Sequence, residues 1–192
     1  MKNIQTTRLF LRRFSPEDFD DIIEQIYSDP EVYRHYSSIA EDREEVERRF
    51  QVRCAQPQSA EFGFWAVELR QQRKVIGQLH LEPYVNSLNP IPGEEGDPFY
   101  HIEVELAFAF GRHYWGQGYA TEACQAAIEY AFLDLKLPRL VGSILTVNER
   151  SIRHHLRLGY RVCLNPKEEE WQIAILNNDR LAPALSQEVG KR

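Results

Sequence analysis

The sequence predicts a mixed α/β domain of the α+β kind, with about six to seven short strands flanked by about four helices. Three observations predict it. Short segments with alternating apolar residues are interleaved with others in which apolar residues recur every three or four positions, so neither period dominates. The longest clean pattern, His101 to Leu135, opens as an alternating strand, turns at Trp115-Gly116-Gln117-Gly118 and continues as an Ala-rich amphipathic helix. At 192 residues, 43% hydrophobic and 27% charged, the chain suits one soluble domain able to bury a core. It contains no internal repeat and no interdomain linker, so residues 1–192 are expected to form a single domain.

In order, Arg8 to Phe14 alternate as a strand, with Leu9, Leu11 and Arg13 on one side. Ser15-Pro16-Glu17-Asp18 has the signs of a helix start: a capping Ser, Pro at the first helical position and acids in the first turn. Phe19, Ile22, Ile23 and Ile26 give that helix an apolar face, and Asp29-Pro30 is expected to break it. A charged helix runs from about Glu41 to Ala55, with Val46, Phe50 and Cys54 as its buried seam. Strands Phe62–Leu69 and Lys74–Leu81 form an expected antiparallel hairpin whose joining segment lacks an Asn-Gly signature. Pro83 to Pro98 is too rich in Pro and Gly for regular structure, and a loop of that length inside a domain is often functional. After the central strand, turn and helix, Pro138 resets the chain into a strand over Arg139–Val147. Asn148 to Ser151 caps a short helix that Gly159 stops. Tyr160–Leu164 and Trp171–Leu176 are the last strands, and 179–192 is expected to be a frayed tail.

A net charge of −6 and a pI near 5.6 give no bulk electrostatic case for nucleic-acid binding, while suiting a basic or amine substrate. Cys54, Cys124 and Cys163 are sparse and show no CxxC spacing, which argues against a disulfide framework or a zinc site. With no leader-like apolar core and no long apolar run, the expected location is the cytoplasm, away from membranes.

A glycine turn between strand and helix gathers unpaired backbone N–H groups at the positive end of a helix dipole, an arrangement suited to an anion and most often to phosphate. Upstream, period-two reading puts His101, Glu103, Glu105, Ala107 and Ala109 on one face of the strand. Ile102, Val104, Leu106, Phe108 and Phe110 take the other face, which is expected to pack into the core. The polar face offers a candidate general base beside a narrow track of small residues that leads to the turn. An ordinary solvated strand face would have the same pattern. Paired carboxylates buried together raise one another's pKa, which suits a base acting on an ammonium group.

The element order and the segment Glu105…His113-Tyr114-Trp115-Gly116-Gln117-Gly118-Tyr119-Ala120-Thr121-Glu122-Ala123 resemble the GNAT (Gcn-related N-acetyltransferase) superfamily. The opening TTRLFLRRFSPEDFDDI, the YWGQGYATEA segment and VNERSIRHHLRLGYR are similar to its RimJ/RimL-like branch. The resemblance covers roughly Thr6 to Leu176 and implies an acyl-CoA N-acyltransferase fold with a central mixed, mostly antiparallel sheet.

It also implies roles. The (Arg/Gln)-x-x-Gly-x-(Gly/Ala) pyrophosphate loop falls on His113 to Gly118, departing from the pattern at His113. Gly116, Gln117, Gly118, Tyr119, Ala120 and Thr121 would surround the pyrophosphate of acetyl-CoA, with Phe108, Ala109 and Phe110 along the pantetheine path. Tyr114 and Trp115 are better read as packing beneath the turn. Glu105 sits where relatives often carry the general base, and Glu103 is the weaker candidate. Asn148 matches the Asn near the pantetheine arm and is equally well a helix cap; Ser151 is a CoA contact or part of the helix start. His155 stands where many relatives place a Tyr that protonates the departing thiolate, and a packed histidine is its other reading.

The function implied is transfer of an acetyl group from acetyl-CoA directly to a primary amine, either a protein N-terminus or a small molecule, by a monomer or homodimer that needs no metal. Glu94, Glu95 and Asp97 in the long loop would favour a cationic acceptor. The rival is a non-catalytic acyl-CoA-binding module, kept open by His113 and His155. A P-loop or dinucleotide site is a poorer reading, because the turn lacks both the Lys-Ser/Thr and the full GxGxxG.

Overall fold

The computed structural model describes residues 2–35, 42–55, 61–86, 101–165 and 168–179. The chain divides into two compact units, one of Met1–Glu82 with Leu106–Ala126 and the other of Pro83–Glu105 with Ala127–Arg192.

The first unit builds an antiparallel ladder from β1 (Ile4–Gln5), β2 (Leu9–Arg12), β3 (Gly63–Leu69) and β4 (Lys74–Asn86). Next to β4 runs the end of β5 (His101–Phe110). The Gly111 amide donates to Ile76 O at 2.9 Å, and a Cβ on Gly77 would meet Ala109 O at 2.5 Å, so only glycine allows this approach. Leu9 and Leu11 are fully buried, as their alternation predicts.

Three turns of helix follow β2. Pro16–Asp18 is a 3-10 turn, Phe19–Ile22 is α1, and Ile23–Tyr27 widens into a π-type turn. Asp18 sets their start: its carboxylate accepts from the Ser15 amide at 2.8 Å and takes a bidentate grip from Arg12 at 2.7 and 2.8 Å. Arg12 also reaches Glu68 at 2.7 Å, so two buried acids share one guanidinium. Asp29-Pro30 does not simply end the helical stretch. Asp29 accepts from the Glu31 amide and caps a short α2 (Pro30–Tyr33), with Pro in the first turn where its missing N–H costs nothing.

The charged helix α3 (Arg43–Ala55) buries Val46 and Phe50 and half-buries Cys54. Phe50 meets Phe14 edge-on, with ring centroids 5.2 Å apart, in a core that also holds Ile22, Ile26, Val32, Ala66, Val75 and Ala109.

In the second unit the start of β5 pairs in parallel with β6 (Arg139–Leu145), Glu105 opposite Val141. Two antiparallel pairs complete the order β5-β6-β8-β7, where β7 is Arg161–Leu164 and β8 is Trp171–Asn177. The chain reaches β6 from α4 (Tyr119–Glu129) through a π-type turn at Tyr130–Asp134, and α5 (Glu149–Arg157) links β6 to β7. Asn148 caps α5 by accepting from the Ser151 amide at 3.1 Å, and Gly159 ends it at φ +92°.

Two expectations are corrected. β4 does not stop at Leu81 but continues through Pro83 to Asn86. The β3 register ends at Gly63 opposite Leu81, so Pro83 lies beyond the last rung that needs an amide on that side. The remainder of the long loop, with Glu94, Glu95 and Asp97, lies outside the described residues, as do 180–192 of the expected tail. The faces of β5 also differ from a simple in–out alternation. Ile102 is 77% exposed whereas Glu103 is 4% exposed, because Arg139 on the neighbouring strand neutralises the inward acid. No helix among the described residues is long and apolar enough to cross a membrane.

Candidate active site

The first unit holds the glycine turn. Gly116 and Gly118 take φ of +76° and +82°, left-handed conformations that cost a Cβ-bearing residue strain. A Cβ added at Gly116 would meet nothing within 4 Å, so the main chain there faces open space. Trp115 is pinned beneath the turn by its indole N–H, which donates to Phe110 O at 2.7 Å, and it packs on the core. Tyr114 contacts the ring of Tyr119, with centroids 6.2 Å apart. The earliest bond of α4 runs from the Glu122 amide to Gly118 O at 3.0 Å, so the amides preceding it stand at the open, positive end of the helix. The Gln117 side chain folds back to His113 O at 2.6 Å, and His113 itself is exposed. What the turn presents is therefore backbone, which leaves the His113 departure with little to disturb.

Sequence reading missed what holds this turn in shape. Arg8 donates from Nε to Glu122 Oε2 at 2.6 Å and from Nη1 to Gln117 O at 2.9 Å, and its guanidinium carbon lies 4.3 Å from the Tyr119 ring centroid. Thr6 Oγ1 and the Arg8 amide donate to the other oxygen of Glu122 at 2.6 and 2.8 Å. Burial pushes the Glu122 carboxyl up, but these bonds together outweigh it and hold the group below the usual carboxylate range. The clip joins the TTR and ATEA segments across more than a hundred residues, a pairing that no spacing rule reveals. Phe108 and Ala109, on either side of the strand, lie partly buried and buried, and Phe110 is buried.

The second unit holds the carboxylates, and their environments separate them. Glu103 is paired with Arg139 through both oxygens, one at 2.8 Å from Nε and the other on Nη2. Glu105 has no such cation among the described residues. Its Oε1 accepts from the Ser143 amide at 3.0 Å. Burial raises its pKa above the ordinary carboxylate value, and the amide and hydroxyl of Ser143 partly offset that rise. Burial thus shifts Glu105 toward its protonated form, whereas Glu103 is held in an ion pair.

Downstream on α5, His155 is buried, and its Nδ1 lies 2.9 Å from Ser151 O and 3.3 Å from Ser151 Oγ. A carbonyl only accepts, so Nδ1 carries the hydrogen and Nε2 is the basic nitrogen of the neutral ring. Burial lowers the His155 pKa despite that bond. The ring packs edge-on against Tyr160, with centroids 5.0 Å apart. Asn148 and Ser151 both serve the start of α5.

The uncharacterized N-acetyltransferase p20 of Bacillus licheniformis is 30% identical over 155 residues, covering 80% of this chain and 79% of that protein. An acetyltransferase structure of the GNAT family from Bacillus anthracis superposes with a TM-score of 0.70 at 21% identity, covering 93% of this chain and 99% of the other. A Vibrio cholerae protein provisionally named a ribosomal-protein-serine acetyltransferase has a TM-score of 0.67 at 22% identity, with 92% and 97% covered. These two likenesses bear on the fold. The family model for the acetyltransferase (GNAT) domain matches residues 8–161, running from the arginine of the clip to the strand beyond α5, and the chain belongs to the GNAT acetyltransferase family.

Proposed function

We propose that this GNAT protein transfers the acetyl group of acetyl-CoA directly to a primary amine in a ternary complex, with residues 1–192 acting as one acetyltransferase domain. The observation that carries the reading is the open glycine turn at the start of α4, pinned from beneath by Trp115 and clipped by Arg8. Backbone amides from Gly116 to Thr121 at a helix N-terminus fit a pyrophosphate without a cationic side chain. Acetyl-CoA, when bound, supplies an acyl group activated as a thioester. Phe108, Ala109 and Phe110 line its path, a main-chain N–H of β5 polarises the carbonyl oxygen, and Asn148 and Ser151 contact the pantetheine arm.

Glu105 takes the proton that the attacking amine loses, directly or through a water. The C–N bond forms, the C–S bond breaks, and the thiolate takes a proton. His155 can supply it once its Nε2 has been charged; because burial works against that charge, removing His155 should cost less than removing Glu105. The acceptor is either a protein N-terminal α-amine, as the likeness to the RimJ/RimL-like branch suggests, or a small-molecule amine. Purified protein given acetyl-CoA and an amine panel should release free thiol. Tight CoA binding without thiol release from any amine would instead mark a binding module, and failure of both would overturn the reading.

A further inference from the structure

We propose that Arg53, Phe64, Gln78 and His80 form an anion-recognising subsite in the first unit, and that the amine acceptor carries a carboxylate that docks there. The inference rests on the acetyl-transfer reading and narrows its substrate class.

Arg53 lies in the last turn of α3, partly buried. Its guanidinium carbon is 3.9 Å from the Phe64 ring centroid, and Nη1 donates to Gln78 Oε1 at 3.3 Å. It forms no ion pair with any carboxylate among the described residues. Two other arginines of this unit are satisfied differently, Arg8 by Glu122 and Arg12 by Asp18 and Glu68. Arg53 is thus a cation fixed in place by an aromatic face and one neutral oxygen, with donors to spare.

Gln78 supplies a second, independent sign. It is fully buried, and the bond from Arg53 sets its amide orientation, so that its Nε2 has no hydrogen-bond acceptor among the described residues. Buried donors of this kind are rare in native proteins and invite a functional explanation. A carboxylate oxygen set between Arg53 and Gln78 satisfies both. His80, buried beside Phe64 with ring centroids 4.6 Å apart, is held neutral first by burial and then by the charge of Arg53, so Arg53 is the cation of the cluster.

Placement connects the cluster to the chemistry. Across β3 and β4, Phe64 pairs with His80 and Ala66 with Gln78. Ala66 and Ala109 belong to the core cluster on which Phe64 and Cys54 pack. Alternation along β5 puts Ala107 on the same face as Ala109. The cation therefore lies on the face of the unit that carries the small-residue track of β5.

The test uses dipeptides that differ only as Glu against Gln, and amino acids against their carboxamides, with thiol release from acetyl-CoA as the readout. The carboxylate forms should be preferred by about tenfold or more in kcat/KM, expressed mainly in KM. Arg53→Gln should abolish the preference and Arg53→Lys should retain part of it, both with the KM for acetyl-CoA unchanged. Equal rates for the paired substrates, or a preference that survives Arg53→Gln, would overturn the subsite. Should no amine release thiol, the acetyl-transfer reading fails separately. Glutarate titration followed by the His80 imidazole NMR signal then decides the subsite: a saturable shift lost in Arg53→Gln supports it, and no shift overturns it.

Discussion

Glu103 and Glu105 are one pleat apart on β5 and differ in what faces them. Arg139 holds Glu103 as a buried ion pair. Among the described residues Glu105 meets the amide and hydroxyl of Ser143 and no cation, and burial has raised its pKa. Two outcomes follow if Glu105 is the base. Glu105→Gln should lower kcat/KM by about 10²-fold at neutral pH, with the KM for acetyl-CoA little changed. Ser143→Ala removes a hydrogen bond that favours the ionised form, so the Glu105 pKa should climb further. The acidic limb of the pH–kcat/KM profile should then move up by about 0.5 units. A profile that stays in place in Ser143→Ala would mean that another group sets the limb. The strand pattern put both carboxylates on one face and the family resemblance favoured Glu105, but the ion pair that separates them was hidden, since Arg139 is 36 residues from Glu103 along the chain.

The element that matters most is the passage from β5 through the glycine turn into α4, and its boundaries were legible because alternation, glycine and an Ala-rich periodic run follow one another without overlap. The supports were not legible. Arg8 serves a turn more than a hundred residues downstream, and β4 runs on through a proline that local rules treat as a stop. The clip predicts a specific coupling. Arg8→Gln should raise the KM for acetyl-CoA about tenfold while leaving kcat nearly unchanged, because it loosens the turn and touches no reacting atom. In Gly118→Ala the new Cβ would stand 3.3 Å from Arg8 Nη2 as well as straining a φ of +82°. It should therefore damage the same clip, and the double variant should be little worse than the more severe single one. Gly116→Ala meets no neighbour, so its effect on KM should instead add to that of Arg8→Gln. Full additivity of Arg8→Gln with Gly118→Ala would show that Arg8 does not act through the turn.

For the molecule as a whole, composition spoke to size and motif order spoke to family, but the response to acid was hidden because it depends on which histidines are buried. His80 in the first unit and His154 and His155 in the second are all buried. Burial, with help from Arg53, lowers the His80 pKa to about 4, and burial, then His155 and Arg157, lowers that of His154 to about 4. An unfolded chain takes up these protons near pH 6.5, before the folded protein does. Above that pH both states are neutral at these rings, and the contribution is flat. As pH falls from about 6.5 toward about 4, the unfolded state binds more protons and stability is lost. His80 alone should cost about 2 kcal/mol by pH 5, measured as a drop in urea midpoint between pH 7.5 and pH 5. His80→Asn, which cannot take a proton, should start less stable at pH 7.5 and lose less over the same interval. A wild-type midpoint that does not move between the two pH values would show that His80 is already able to reach water in the folded state.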